Sequence, residues 1–196
     1  MPSRMTKPLA YCSLVAAALF ATGAARADLV TNGGFETGNF SGWDITNTDP
    51  GYDTVNQAVP PQAGDWLASF GGANSSISQT LTTVAGSNYK VSFWLMLETD
   101  PLGVDTPNDF SFNFGAATGA SLSNASAFGY TLFEATFIAA GASTDLTFNF
   151  NQGPAFWDID SIQVTLPEPG SVALLAAAGL AGAAASRRRR LASTSD

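Results

Sequence analysis

Three carboxylates and three aromatic side chains are the residues of this sequence best suited to chemistry. Glu36 follows Asn32-Gly33-Gly34-Phe35, Asp65 stands in an Ala-Gly-Asp-Trp stretch, and Asp160 lies in Trp157-Asp-Ile-Asp-Ser161. Asn-Gly-Gly reads as a tight turn that supplies positive-φ positions and turns backbone carbonyls outward beside Glu36. Trp157 and Ile159 share one strand face, but Ile162 and Val164 share the other. A bulge is therefore expected at Asp160-Ser161, and a bulge re-aims side chains. A carboxylate from each end of the segment, joined by carbonyls and by Asp65 as a third acid, makes a hard-oxygen set suited to Ca²⁺. The competing assignment is that Glu36 and Asp160 simply accept backbone hydrogen bonds in the turns. Trp94, Trp66 and Tyr52 are the aromatics that could serve as stacking platforms for sugar rings, Trp94 foremost. Against that, Trp94 could belong to the core of a second sheet.

What is missing narrows the chemistry further. The chain has no histidine, and its one cysteine is Cys12. That excludes a disulfide framework, a cysteine nucleophile, a Ser-His-Asp triad and the usual zinc sites. A carboxylate pair of the glycosidase kind survives, although with so many acids some pair is inevitable. Of the 16 acids only Glu168 and Asp196 lie outside residues 28–166, and of the 8 bases only Lys90 lies within them. The segment's net charge is therefore −13. Such a surface repels phosphate backbones, so no nucleic-acid partner is expected.

The elements that must hold these residues read as short strands. Tyr89–Leu97 alternates, with Val91, Phe93, Leu95 and Leu97 on one face and Lys90, Ser92, Trp94 and Met96 on the other. Phe110, Phe112 and Phe114 share a face, as do Phe133, Ala135 and Phe137, and Leu146, Phe148 and Phe150. Further runs are Trp66–Phe70 and Ser75–Thr82. Period-two runs between Gly, Asn and Pro turn signals predict an all-β, two-sheet sandwich over residues 28–166, with the phenylalanines as its core.

The two ends read as addresses. Arg4 and Lys7, an apolar run, and Ala25-Arg26-Ala27 have the order of a secretory signal peptide. Cleavage after Ala27 by signal peptidase, following passage through the Sec translocon, is expected. At the other end Pro167-Glu168-Pro169 precedes the small and apolar run 171–185, then Arg187, Arg188, Arg189 and Arg190, then residues 191–196. As a helix that run spans about 22 Å, short of a hydrocarbon core of about 30 Å. The arginines are a positive-inside stop, which leaves residues 191–196 as a cytoplasmic tail. A short, Ala-rich transmembrane helix suits a transient stay in the inner membrane.

Proline-glutamate-proline, apolar run and terminal arginines in this order resemble the PEP-CTERM sorting signal (residues 167–190). The resemblance implies recognition by a membrane-embedded exosortase of a Gram-negative bacterium, then residence at the cell surface or in the extracellular matrix. The segment between resembles carbohydrate-binding modules of the galactose-binding-like jelly-roll type, through Asn32, Gly33, Gly34, Phe35, Glu36 and Trp43 and through the closing Trp157–Val164. It implies a jelly-roll fold, a structural calcium near Glu36 and Asp160, and a polysaccharide partner. The expectation is an exported, non-enzymatic protein that binds exopolysaccharide. The alternatives are a polysaccharide hydrolase or lyase, and a structural or adhesive biofilm protein without a glycan ligand.

Overall fold

The computed structural model describes residues 27–46, 51–100, 103, 107–153 and 155–166. The sorting signal, the terminal tail and all of the signal peptide but Ala27 lie outside these residues. Ten strands form the described part: β1 (Asp44–Thr46), β2 (Asp53–Asn56), β3 (Leu67–Phe70), β4 (Ser75–Thr82), β5 (Asn88–Leu97), β6 (Asn108–Phe114), β7 (Ala117–Ser123), β8 (Phe128–Ile138), β9 (Ser143–Gln152) and β10 (Trp157–Thr165). Sheet I has the order β1-β4-β9-β6-β7 and sheet II the order β2-β3-β10-β5-β8. Every pairing is antiparallel. Most neighbours come from distant parts of the chain, with β10 between β3 and β5, and β9 between β4 and β6. This is the two-sheet sandwich that the alternating runs predict, with the jelly-roll architecture that the resemblance implies.

The inward faces are those the apolar positions define. Along β5, Tyr89, Val91, Phe93, Leu95 and Leu97 are all buried, and the residues between them are not. Phe93 sits at the centre, its ring edge-on to Phe112 at 4.9 Å and to Phe148 at 5.1 Å across the sandwich. Phe70 of sheet II and Phe150 of sheet I stack in parallel at 4.0 Å. Each fully buried phenylalanine contributes about 1.5–3 kcal/mol of transfer free energy, which a domain without disulfides needs. On β8, Phe133, Ala135 and Phe137 also turn inward but are only half-buried, because β8 is the outermost strand of its sheet.

Strand β10 carries the expected bulge. Its register with β5 shifts between Asp160 and Gln163, and Ser161 has φ 53°. The shift lets Trp157 and Ile159, then Ile162 and Val164, all face the core. The chain's first described stretch runs along β10: Leu29 N–H donates to Val164 O and Ile162 N–H to Gly33 O, both at 2.9 Å.

The turn at Asn32-Gly33-Gly34 differs from expectation. Its left-handed residues are Asn32 (φ 54°) and Phe35 (φ 57°), not the glycines. Gly33 is required for close approach instead: a Cβ there would lie 2.0 Å from the carbonyl oxygen of Ile162.

Candidate functional site

The turn and the bulge bring two of the three candidate carboxylates to one corner. Glu36 accepts hydrogen bonds from Asp65 N–H, 3.1 Å from each carboxylate oxygen, and from Trp66 N–H at 3.2 Å. Asp160 accepts from Ala63 N–H at 3.0 Å and from Ser161 N–H at 2.5 Å. Residues 63–66 are thus held down by both acids. Gly34 lies between them: a Cβ there would stand 3.7 Å from Asp160 Oδ1 and 3.7 Å from Glu36 Cγ. Asp65 enters the arrangement through its backbone N–H.

Asp160 is fully buried. Burial pushes its carboxyl above the usual range, and the Glu36 charge adds to that, while backbone donors from Ala63, Ser161 and Gln62 oppose it. A dication between the two acids would favour the ionised form of both and so oppose the effects of burial and of the Glu36 charge. Among the described residues no group of three or more Asp, Glu, His or Cys is arranged to hold a metal. Two carboxylates with carbonyl and water oxygens are still a donor set of the right chemistry for Ca²⁺. Two carbonyls of the turn are already engaged: Asn32 O accepts from Trp43 Nε1 at 3.2 Å and Gly33 O from Ile162 N–H.

The outer face of sheet II carries a polar chain that sequence reasoning missed. Asn56 Nδ2 donates to Thr54 Oγ1 at 2.8 Å and to Ser69 Oγ at 3.0 Å. Ser69 Oγ donates to Asp158 Oδ1 at 2.5 Å. Asp158 is fully buried, and its Oδ2 has no hydrogen-bond partner of normal geometry. Burial pushes its carboxyl up to about 7; the Ser69 bond works against this and the neighbouring Glu98 adds to it. Tyr130 of β8 completes the line, its hydroxyl buried without a partner. Its ionisation is pushed upward by burial and then by Asp158, Asp160 and Glu98. Asp158 and Asp160 occupy alternate positions of β10 and so share this face; the bulge signal pointed to the second and left the first unmarked.

The aromatic candidates stand at three separate places. Trp94 is half-buried on the outer face of sheet II, between Asp160 of β10 and Leu132 of β8, and is not part of the core. Trp66 packs over Gly38, where a Cβ would meet its ring at 3.2 Å, and leans on the core. Tyr52 is exposed in the turn before β2.

The outer face of sheet I is different in kind. Ser76, Asn149, Ser111 and Ser121 stand opposite one another on four successive strands. Beside this row run Ser78, Thr147, Asn113 and Thr118, and on its other side Asn151, Asp109 and Ser123. Asn149 Nδ2 reaches Ser111 Oγ at 3.3 Å and Asn151 Nδ2 reaches Asp109 Oδ2 at 3.2 Å. A groove of about 260 Å³ opens here, lined by Asn74, Ser76, Ser111, Ser121, Asn149 and Asn151 among others. Hydroxyls and amides both donate and accept, so the groove can match a ligand's own hydroxyls. The one acid lining it is Asp109, which accepts the Asn151 bond, so the groove lacks the carboxylate pair that glycoside hydrolysis uses.

No family model matches the sequence, and no curated protein matches it. Among solved structures the chain is similar to TmCBM61 in complex with β-1,4-galactotriose, at 20% identity and TM-score 0.51, over 72% of this chain and 99% of that one. It is likewise similar to a family 16 carbohydrate-binding module, at 17% identity and TM-score 0.51, over 70% and 99% of the two chains. A third similar structure is the CBM22-1 xylan-binding domain of Xyn10C from Paenibacillus barcinonensis, at 18% identity and TM-score 0.51, over 72% and 96%. At these identities what is shared is the jelly-roll fold.

Proposed function

We propose that the domain is a non-catalytic glycan-binding module of an exported surface or matrix protein, and that its ligand lies on the outer face of sheet I. The observation that carries this is the groove whose walls are serine hydroxyls and asparagine amides set in register across four strands. Such a surface is complementary to a polyol chain, and it presents one carboxylate, Asp109, where glycoside hydrolysis uses two. The fold likeness to modules whose names record xylan and galactotriose supports the same reading.

With a net charge of −13 the domain repels acidic polymers, so a neutral polysaccharide, or an acidic one bridged by Ca²⁺, is the ligand class. A Ca²⁺ held by Glu36 and Asp160 would be structural, since that corner lies at the bulge of β10 in sheet II and not in the groove on sheet I. The resemblance of residues 167–190 to a PEP-CTERM signal supports a cell-surface module released by exosortase processing.

Affinity electrophoresis in gels containing the host's own exopolysaccharide tests the reading. Wild type should be retarded. Asn149→Ala with Asn151→Ala should weaken retention by about fivefold to about a hundredfold, from two hydrogen bonds at about 0.5–1.5 kcal/mol each. Trp94→Ala should leave retention unchanged if sheet I alone binds. Loss of retention in Trp94→Ala with none in the asparagine variant would move the ligand to sheet II. A wild type retarded by no host polymer would favour the structural or adhesive alternative.

A further inference from the structure

The side of the sandwich where β7 and β8 end the two sheets is open. Strand β8 is the longest of the ten, and its outer edge has no strand partner among the described residues. Long unpaired edges template pairing with another chain, and proteins usually block them with charge, proline or a bulge. Here the devices are absent over residues 132–138. The one charge, Glu134, is neutralised by an ion pair with Lys90, the only base in the domain. No proline occurs, and the irregularity in the β5 pairing lies nearer Phe128. Leu132 and Ile138, 44% and 67% exposed, are among the few large apolar side chains turned to solvent. Behind the edge a groove of about 380 Å³ runs between the strands, lined by Phe112, Gly119, Ala120, Phe133, Ala135 and Phe137.

The sequence of this edge says what fits it. Leu132-Phe133-Glu134-Ala135-Thr136-Phe137-Ile138 is palindromic in residue type about Ala135. A two-fold antiparallel pairing centred there sets Phe133 against Phe137, Leu132 against Ile138 and Glu134 against Thr136. Every apolar residue meets an apolar one, no two glutamates face each other, and the smallest side chain lies on the axis. Isologous contacts need this self-complementarity, and pairing across a two-fold consumes the edge, so the assembly closes at two copies. We propose that β8 pairs with β8 of a second copy, joining two five-stranded sheets into one of ten. The incoming Phe133 and Phe137 cover the open side of the aromatic groove. In a domain that is otherwise strongly acidic, this edge is also where two copies meet without charge repulsion.

The test uses the protein as exported by its own cells, a chain from Asp28 onward that carries no cysteine of its own. Sedimentation velocity at micromolar concentration should give the mass of two chains. Ile138→Lys should weaken dimerisation by roughly tenfold or more, the 1.4 kcal/mol per decade of a lost apolar contact and an introduced edge charge. Its melting temperature as a monomer should be unchanged, since Ile138 is mostly exposed. Register is read separately. Chains with Leu132→Cys and chains with Ile138→Cys should form disulfide-linked dimers when mixed. Neither should do so alone, because like positions lie about 20 Å apart along the paired strands. A wild type that sediments as one chain, open-ended fibres, or single variants that cross-link as well as the mixture would each overturn the proposal.

Discussion

Gly33 and Gly34 are neighbours in one turn, yet the structure assigns them opposite tolerance to substitution. Neither has a left-handed φ, so alanine is conformationally permitted at both. The difference is space. A Cβ on Gly33 would sit 2.0 Å from the Ile162 carbonyl oxygen and 3.1 Å from Val30 Cγ1. Ordinary contact begins near 3.4 Å, so the first stretch must move away from β10 by more than 1 Å. That breaks the Ile162-to-Gly33 bond of 2.9 Å and strains the Leu29-to-Val164 bond beside it. Two hydrogen bonds at about 0.5–1.5 kcal/mol each, with overpacking strain of about 1–3 kcal/mol, give a loss of roughly 2–5 kcal/mol for Gly33→Ala. A Cβ on Gly34 meets nothing closer than 3.7 Å. Gly34→Ala should therefore cost under about 0.5 kcal/mol, or gain slightly through the unfolded chain. Urea unfolding of both variants at one pH, read by tryptophan fluorescence, measures the difference. Equal losses, or a Gly33→Ala variant as stable as wild type, would refute the close-approach account.

Three further outcomes are expected. Chelation should lower the melting temperature by several degrees if Glu36 and Asp160 hold Ca²⁺, because a ligand at a hundredfold excess over Kd stabilises by about 2.7 kcal/mol; Glu36→Gln should abolish that sensitivity, and an unchanged wild-type melting temperature on chelation would count against the site. Asp158 is protonated more readily folded than unfolded, so its contribution is complete below pH 4 and is lost as pH rises through about 7; in Asp158→Asn that part of the decline should vanish, and a parallel pH profile in denaturation experiments would exclude Asp158 as its source. Intact mass of the cell-surface form should show a chain starting at Asp28 and lacking Arg187–Arg190, and a surface form that keeps the arginines would exclude exosortase sorting.

The fold was legible where burial imposes a period of two. Tyr89–Leu97, Asp109–Phe114 and Thr144–Phe150 alternate large apolar and small polar residues, because one face of each strand meets the other sheet and one meets water. β1, β2 and β7 left little trace: Ala117–Ser123 offers only small residues and Leu122, since an edge strand buries too little to need a pattern. The corner at Glu36 and Asp160 was legible through the parity flip in β10. The mechanism at Gly33 was not, because a contact with Ile162 far along the chain has no local signal. Asp158 was hidden for a similar reason. An aspartate between Trp157 and Ile159 reads as a solvent-facing residue of an alternating strand; its neighbours Ser69 of β3, Glu98 just after β5 and Tyr130 of β8 come from distant parts of the chain.

That contrast separates the two outer faces in what they can tolerate. On sheet II the outward positions Leu67, Asp158 and Asp160 are fully buried, so a change there acts on stability before it acts on any ligand. On sheet I the outward positions Ser76, Ser111 and Asn149 remain part-exposed, while their strand neighbours Ile77, Phe110, Phe112, Phe148 and Phe150 carry the core. Fold and surface chemistry are therefore on separate side chains in sheet I and on shared ones at these three positions of sheet II. A binding face is free to vary only where they are separate. Loss of retention without loss of stability is consequently a demand on the sheet I variants in particular: if Asn149→Ala with Asn151→Ala lowers the melting temperature as much as it lowers retention, the polar rows are holding the sheet together, and the groove is not a ligand site.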